Sequence, residues 1–168
     1  MRGKTSLGKT SANRPHVLVS ILGGLVVMGP ESQNSYSAVC VVAGVFTDGD
    51  RVLAMRRSSD AKSNQGLWEF PGGKIEVDES PQAALKRELQ EECAIDVIVG
   101  DLLGESIFDD GNSAIQLLAY YIDGHEGEPI LRDHDEMLWL ERSKLGDLDW
   151  APADLPFVEL LANYTGSF

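Results

Sequence analysis

From Ala38 onward the chain alternates short apolar runs with polar turns, the rhythm of strands joined by tight connections. Ala38 to Phe46 (A-V-C-V-V-A-G-V-F) is a β-branched run that suits a buried strand. Thr47-Asp48-Gly49-Asp50 reads as a turn and Arg51 to Arg56 as the returning strand, so the two make a hairpin. Further strands are predicted over Asp96 to Val99, Leu102 to Phe108 and Ser113 to Asp123, with Asp109-Asp110-Gly111-Asn112 turning a second hairpin. Met137 to Leu140 is a shorter strand. Two stretches carry helical spacing instead. Ser80 suits a cap and Pro81 a first helical position, and Leu85, Leu89 and Cys93 recur every four residues, which predicts a helix from Pro81 to about Cys93 with one apolar stripe. Pro156 to Tyr164 is a second amphipathic helix opened by its proline. Strands with two interspersed helices predict an α/β sandwich with a mixed sheet.

Residues 1 to about 35 follow a different pattern. Met1 to His16 carries Arg2, Lys4, Lys9 and Arg14 without an acid, and Val17 to Met28 (V-L-V-S-I-L-G-G-L-V-V-M) is apolar. The apolar part is short for a bilayer span, and no small-x-small cleavage site follows it. Three readings remain: an unstructured or mis-started extension with Met28 as an alternative start, a membrane or export segment, and an extra packed element. The first is taken as the expectation, which divides the chain into 1–35 and a domain over 36–168.

Charge narrows the partners. With 27 acidic against 14 basic residues the net charge is −13, so a nucleic-acid polymer finds no basic surface from which to release counterions. A nucleotide is a different matter, because its phosphates can be reached through a metal ion. The length fits one domain with a real core. Cys40 and Cys93 are the two cysteines, in no ligand pattern, and read as free thiols of a reducing cytosol.

The chemistry concentrates in Gly72 to Ile95, G-G-K-I-E-V-D-E-S-P-Q-A-A-L-K-R-E-L-Q-E-E-C-A-I. On the predicted helix Glu88 lies three residues before Glu91 and four before Glu92, so three carboxylates crowd one turn. At about 4 Å and a surface-like dielectric each like-charge pair costs on the order of 4 kcal/mol, tolerable when a cation or water screens the face. Oxygen ligands without His or Cys point to Mg²⁺ or Mn²⁺. A solvated acidic face would account for three glutamates alone. The wider spacing asks for more: Gly73, five residues, Glu79, seven residues, then Arg87-Glu88-Leu89-Gln90-Glu91-Glu92, a set expected by chance at roughly the 10⁻⁵ level in a chain this long.

This string resembles the box of the Nudix hydrolase family, G-x5-E-x7-R-E-U-x-E-E-x-G-U with U aliphatic. Gly73, Glu79, Arg87, Glu88, Leu89, Glu91, Glu92 and Ile95 match, while Ala94 stands where the family has glycine. A left-handed residue is favourable after a helix, so that departure bears on the turn more than on the chemistry. The resemblance implies the Nudix fold, an α/β/α sandwich with a mixed β-sheet. It implies that the Gly72 carbonyl, Glu88, Glu91 and Glu92 hold Mg²⁺, with Mn²⁺ as the alternative, and that Glu88 serves as general base. Asp133 is the second choice of base, since it takes the place of a glutamate that supplies a metal ligand or base in MutT-type members; one methylene shorter, it would reach a metal directly or through a water, and an exposed loop acid is the other reading. Glu79 and Arg87 would form an internal ion pair that positions the loop on the helix, with a phosphate contact as the other reading of Arg87. Arg57, or else Arg56, would hold substrate, and Lys74 either touches phosphate or is simply exposed.

Asp154 stands where MutT-type members carry an asparagine that reads 8-oxoguanine. An ionised aspartate only accepts, which suits the amine of cytosine, and A-P-A-D-L-P resembles the CTP pyrophosphohydrolase branch. A protonated Asp154 could instead donate to O6 of 8-oxoguanine. Phe108 and Tyr120 are candidates for stacking on the base, with core packing as the other reading of both. The resemblance thus implies a cytoplasmic Mg²⁺-dependent nucleoside triphosphate pyrophosphohydrolase that releases a nucleoside monophosphate and diphosphate from CTP, 5-methyl-dCTP or 8-oxo-dGTP. It would act as a monomer or homodimer, with no nucleic-acid polymer and no membrane as partner of the domain. The alternatives are an ADP-ribose or dinucleoside pyrophosphatase of the same fold and a catalytically silent nucleotide-sensing module.

Overall fold

A computed structural model describes residues 38–109 and 113–166, together with the backbone of three short strands nearer the N-terminus. Those strands are β1 (Lys4–Ser6), β2 (Val17–Leu22) and β3 (Leu25–Val26). The first pairs with Gly124 to Glu126 and the second runs parallel to Gly104 to Asp109. The expectation of an unstructured extension, and the boundary at residue 35, fall mostly on residues outside those described.

The apolar run after Ala38 forms β4 (Val39–Asp48), and Gly49 at φ +59° turns it into β5 (Arg51–Arg57). Two short strands that the residue pattern did not announce follow, β6 (Trp68–Glu69) against β5 and β7 (Gly72–Lys74) against β4. Helix α1 (Pro81–Cys93) comes next, with the Ser80 hydroxyl accepting from Ala83 N at 3.2 Å as its cap. The two strands predicted after it are one, β8 (Asp96–Asp109), with irregular pairing between Ile98 and Gly104 where the sequence suggested a break. β9 (Ala114–Glu126), β10 (His134–Glu141), a 3-10 turn (Arg142–Asp147) and α2 (Leu155–Asn163) complete the chain.

The sheet is mixed. β4 lies parallel to β9 from Val39↔Ile115 to Phe46↔Ile122, whereas β8 with β9 and β10 with β5 are antiparallel. Because β4 and β9 are central, both of their faces are largely buried, which explains their nearly continuous apolar runs. Alternate residues feed two cores. Val42, Phe46, Tyr120 and Ile122 pack with Leu85, Leu89 and Cys93 of α1 on one face, and Ala43, Val45, Leu117 and Tyr121 pack with Phe157, Val158 and Leu161 of α2 on the other. Leu85 and Leu89 are fully buried, each contributing roughly 1.5–3 kcal/mol by leaving water. The architecture is the α/β/α sandwich expected, and it presses the acidic helix α1 against the β4–β7 edge. Among the described residues no helix is long and apolar enough to cross a membrane.

Candidate active site

Backbone comes first. β7 sets Gly72 opposite Ala43 and Gly73 opposite Val42. A Cβ on Gly72 would fall 2.0 Å from the Val42 carbonyl oxygen, so only glycine permits this approach, and Gly73 backs directly onto the Glu88 carboxylate.

Arg87 ties the acidic loop to the helix. Its Nε and Nη2 donate to the two carboxylate oxygens of Glu79 at 3.1 and 3.0 Å, and Nη2 also donates to the Lys74 carbonyl at 2.9 Å. Its Nη1 donates to Glu88 Oε1 at 2.8 Å and stands 3.5 Å from Glu91 Oε2. The hydrogen bonds from Arg87 hold the Glu79 carboxyl below its ordinary range, and those to Glu79 and Glu88 push the guanidinium up.

These pieces edge a cavity of about 740 Å³. One part of its lining is polar: Glu88, Glu91, Glu92, Arg57, Glu69 and Lys74, beside Gly72 and Gly73. Another part is apolar, with Val41, Phe70, Ile115, Leu117 and Ala153 around Asp154. The three glutamates differ in exposure. Glu92 is buried and among the described residues its Oε2 has no hydrogen-bond partner, Glu88 is mostly buried, and the Glu91 side chain is 61% exposed at the rim. Burial, then the negative charges of Glu69, Glu88 and Asp133, push the Glu92 carboxyl up to about 8, against the pull of Arg57.

Asp133 reaches this neighbourhood because its loop is fastened to the end of α1. Ile130 N donates to the Cys93 carbonyl at 2.9 Å and Arg132 Nη1 to the Glu91 carbonyl at 2.8 Å. The Asp133 side chain is exposed and lies outside the cavity lining. Of the two arginines Arg57 lines the cavity. Arg56 points elsewhere, paired with Asp135 at 2.8 Å and Glu136 at 2.9 Å and lying over Trp68.

Asp154 is buried at the start of α2, and its Oδ1 accepts from Phe70 N at 3.1 Å. Burial, with the nearby Glu69 charge, pushes its carboxyl well above the usual range against that one hydrogen bond, which favours the neutral acid over the acceptor-only form. Neither aromatic candidate lines the cavity. Phe108 packs on the α2-side core and Tyr120 is buried in the α1-side core.

Two buried polar residues at or beside the site, Glu69 and His134, went unnoticed in the sequence. Glu69 is buried, lines the cavity, and accepts through Oε1 from Arg57 Nη1 at 3.1 Å and from His134 Nε2 at 2.9 Å. A carboxylate between Trp68 and Phe70 in an otherwise buried run was its one local signal. His134 had none.

Among the described residues no three His, Cys, Asp or Glu side chains are grouped as ligands around one point. Arg87 draws Glu88 and Glu91 toward itself instead. The donor set nevertheless fits a hard divalent cation, since Glu92 Oε2 is buried without a partner amid excess negative charge and all the donors are oxygens.

Comparison with known proteins yields a consistent picture. The NUDIX domain profile matches residues 36–161. A protein of Mycobacterium tuberculosis named putative 8-oxo-dGTP diphosphatase 2 is 38% identical over 125 residues, covering 73% of this chain and 86% of that protein. The CTP pyrophosphohydrolase of Escherichia coli K12 is 37% identical over 120 residues, 71% of this chain and 87% of that one. Among solved structures, that of the E. coli ORF135 protein superposes with a TM-score of 0.67 at 31% identity over 77% of this chain and 91% of its own. The MutT protein of Methanosarcina mazei Go1 gives 0.64 at 25% over 77% and 96%.

Proposed function

Because the chain belongs to the NUDIX-domain family, hydrolases that act on phosphoanhydride bonds, we propose that it is a Mg²⁺-dependent nucleoside triphosphate pyrophosphohydrolase of the cytosol. The observation that carries this reading is the cavity itself, whose wall sets Glu88, Glu91 and the buried Glu92 beside an apolar stretch around Asp154. Similarity to proteins named 8-oxo-dGTP diphosphatase and CTP pyrophosphohydrolase supports it.

In this reading the Gly72 carbonyl with Glu88, Glu91 and Glu92 holds the cation, with Mn²⁺ able to replace Mg²⁺. When bound, the ion supplies neutralisation of phosphate charge and a lowered pKa for water. Arg57 meets the polyphosphate from the cavity wall. Glu88, through its carboxylate, takes the proton of the attacking water, with Asp133 as the second choice of base. Water adds to the β-phosphorus, the bond from that phosphorus to the oxygen bridging the α-phosphate breaks, and nucleoside monophosphate and diphosphate leave. At the apolar part, a neutral Asp154 whose Oδ1 is taken by Phe70 N presents a hydroxyl donor. Cytosine N3 and the O6 of 8-oxoguanine both offer the acceptor it needs, so CTP, 5-methyl-dCTP and 8-oxo-dGTP are the candidate substrates. An ADP-ribose pyrophosphatase would need room for a second nucleoside, and a silent sensor would have no use for the full set of box carboxylates.

The test is incubation of the protein with Mg²⁺ and CTP, 5-methyl-dCTP, 8-oxo-dGTP, dATP or ADP-ribose, with products separated by chromatography. Monophosphate and diphosphate are expected from the first three. Because the Glu91 side chain is exposed and its ion pair with Arg87 is long at 3.5 Å, Glu91→Gln should remove turnover by about a hundredfold or more and barely move Tm. No turnover of any nucleotide, or an undiminished Glu91→Gln variant, overturns the reading.

A further inference from the structure

His134 has no role in the chemistry above, yet its placement is not that of an ordinary core side chain. Its side chain is fully buried. Among the described residues its Nδ1 has no hydrogen-bond partner, while Nε2 meets Glu69 Oε1 at 2.9 Å. A leucine would fill the same space without leaving a bare nitrogen in the interior. The imidazole is therefore there for what Nε2 does, and because a carboxylate that already accepts from Arg57 can only accept, Nε2 carries the proton and donates it to Glu69.

The fold brings three strands together to make that contact. Arg57 and His134 are register partners on β5 and β10, and Glu69 arrives from β6 on the opposite side of β5. A register irregularity between His134 and Glu136 accompanies the inward turn of His134, while its neighbours Asp133 and Asp135 remain exposed. Glu69 Oε1 is shared: it accepts from His134 and from Arg57 Nη1, which stands 3.1 Å away. Among the described residues Arg57 Nε is buried and unpartnered, so Glu69 is the side chain to which the guanidinium is hydrogen-bonded.

We propose that His134 is a positioning residue, fixing through Nε2 the Glu69 carboxylate that in turn orients Arg57 at the cavity wall. The proposal rests on the pyrophosphohydrolase reading and extends it to a side chain outside the cavity. Glu69 is also a charge felt by both Glu92 and Asp154, so holding it still steadies the polar and the apolar part of the cavity together.

The experiment compares His134→Leu, which keeps the bulk, with His134→Gln, whose amide nitrogen reaches the Nε2 position, using the full chain, Mg²⁺ and the substrate that the wild type turns over best. His134→Leu should lose roughly ten- to a hundredfold in kcat/KM, and His134→Gln should retain about a third or more. In an Arg57→Ala background the leucine substitution should cost less than about threefold, because the residue it acts through is gone. A general loss of packing would hit both backgrounds alike. Wild-type kcat/KM in the leucine variant, equal losses with leucine and glutamine, or independent losses in the double variant each overturn the proposal. Should the leucine variant show no cooperative melting, Glu69→Gln carries the same comparison, with the same loss expected alone and the same attenuation in the Arg57→Ala background. A wild-type protein that hydrolyses none of the nucleotides is a separate result, which fells the pyrophosphohydrolase reading and this one with it.

Discussion

Gly73 lies so close to Glu88 that a Cβ on it would fall 2.3 Å from the carboxylate carbon and 2.4 Å from Oε2. A glycine 15 positions earlier in the chain thus determines where the proposed general base can stand. Gly73→Ala should displace Glu88 rather than unfold the protein, since the side chain can swing while the backbone pairing with Val42 persists. Activity is expected to drop about a hundredfold with Tm nearly unchanged. Wild-type kcat in the alanine variant would remove Glu88 from the chemistry.

Glu92 links stability to pH. Its carboxyl is raised to about 8 in the fold against 4.5 as its ordinary value. The stability from its bound proton is fully present below about 4.5 and is lost as pH rises through about 8. Glu92→Gln, neutral at every pH, should match the cation-free wild type near pH 4.5 and exceed it by a few kcal/mol near pH 8 to 9. Mg²⁺ should raise the Tm of the wild type at pH 8 and leave that of the variant unmoved. Thermal melts across this range decide it, and a pH-independent difference would contradict the burial of a titrating Glu92.

Ala94 occupies the left-handed conformation at the end of α1, at φ 55° and ψ 33°, with its N–H donating to the Gln90 carbonyl at 3.1 Å and the next N–H, of Ile95, to the Leu89 carbonyl at 3.5 Å. The turn survives without glycine, at the strain of a Cβ in that region. Ala94→Gly should relieve it and stabilise the protein by about 0.5–1 kcal/mol, a rise of about 1–4 °C in Tm. A lower Tm would show that the glycine's extra freedom when unfolded outweighs the relief.

Asp154 is disposed toward the neutral acid by burial. Asp154→Asn keeps the acceptor for Phe70 N and exchanges a single hydroxyl donor for an amide. The variant should fold with undiminished Tm and shift the ratio of kcat/KM for 8-oxo-dGTP over CTP upward by about tenfold. An unchanged ratio would separate Asp154 from base selection.

What the residue order carried was local. The span of α1 from Pro81 to Cys93, its cap at Ser80, the buried stripe Leu85, Leu89, Cys93 and the hairpin around Gly49 all follow from neighbours within a turn or two, where propensity and periodicity act directly. So did the spacing that puts Glu79, Arg87, Glu88, Glu91 and Glu92 on one loop and helix. The two-residue strand at Trp68–Glu69 was illegible, because it exists through pairing with Met55 and Arg56 rather than through any pattern of its own. For Phe108 and Tyr120 the residue order left base stacking and core packing both open, and packing decides between them, because which face of a strand meets a helix or a cavity depends on what the sheet is packed against.

Tertiary structure alone decided the electrostatics. Glu69 meets His134 across 65 residues and Asp154 meets Phe70 N across 84. A carboxylate in sequence is only a charge; its protonation, its partners and its exposure are set by the dielectric and the neighbours that folding assembles. The chain's order therefore settled which acids sit on α1, and packing settled that Glu92 is buried without a partner, that Glu91 faces water, and that Arg57 rather than Arg56 enters the cavity.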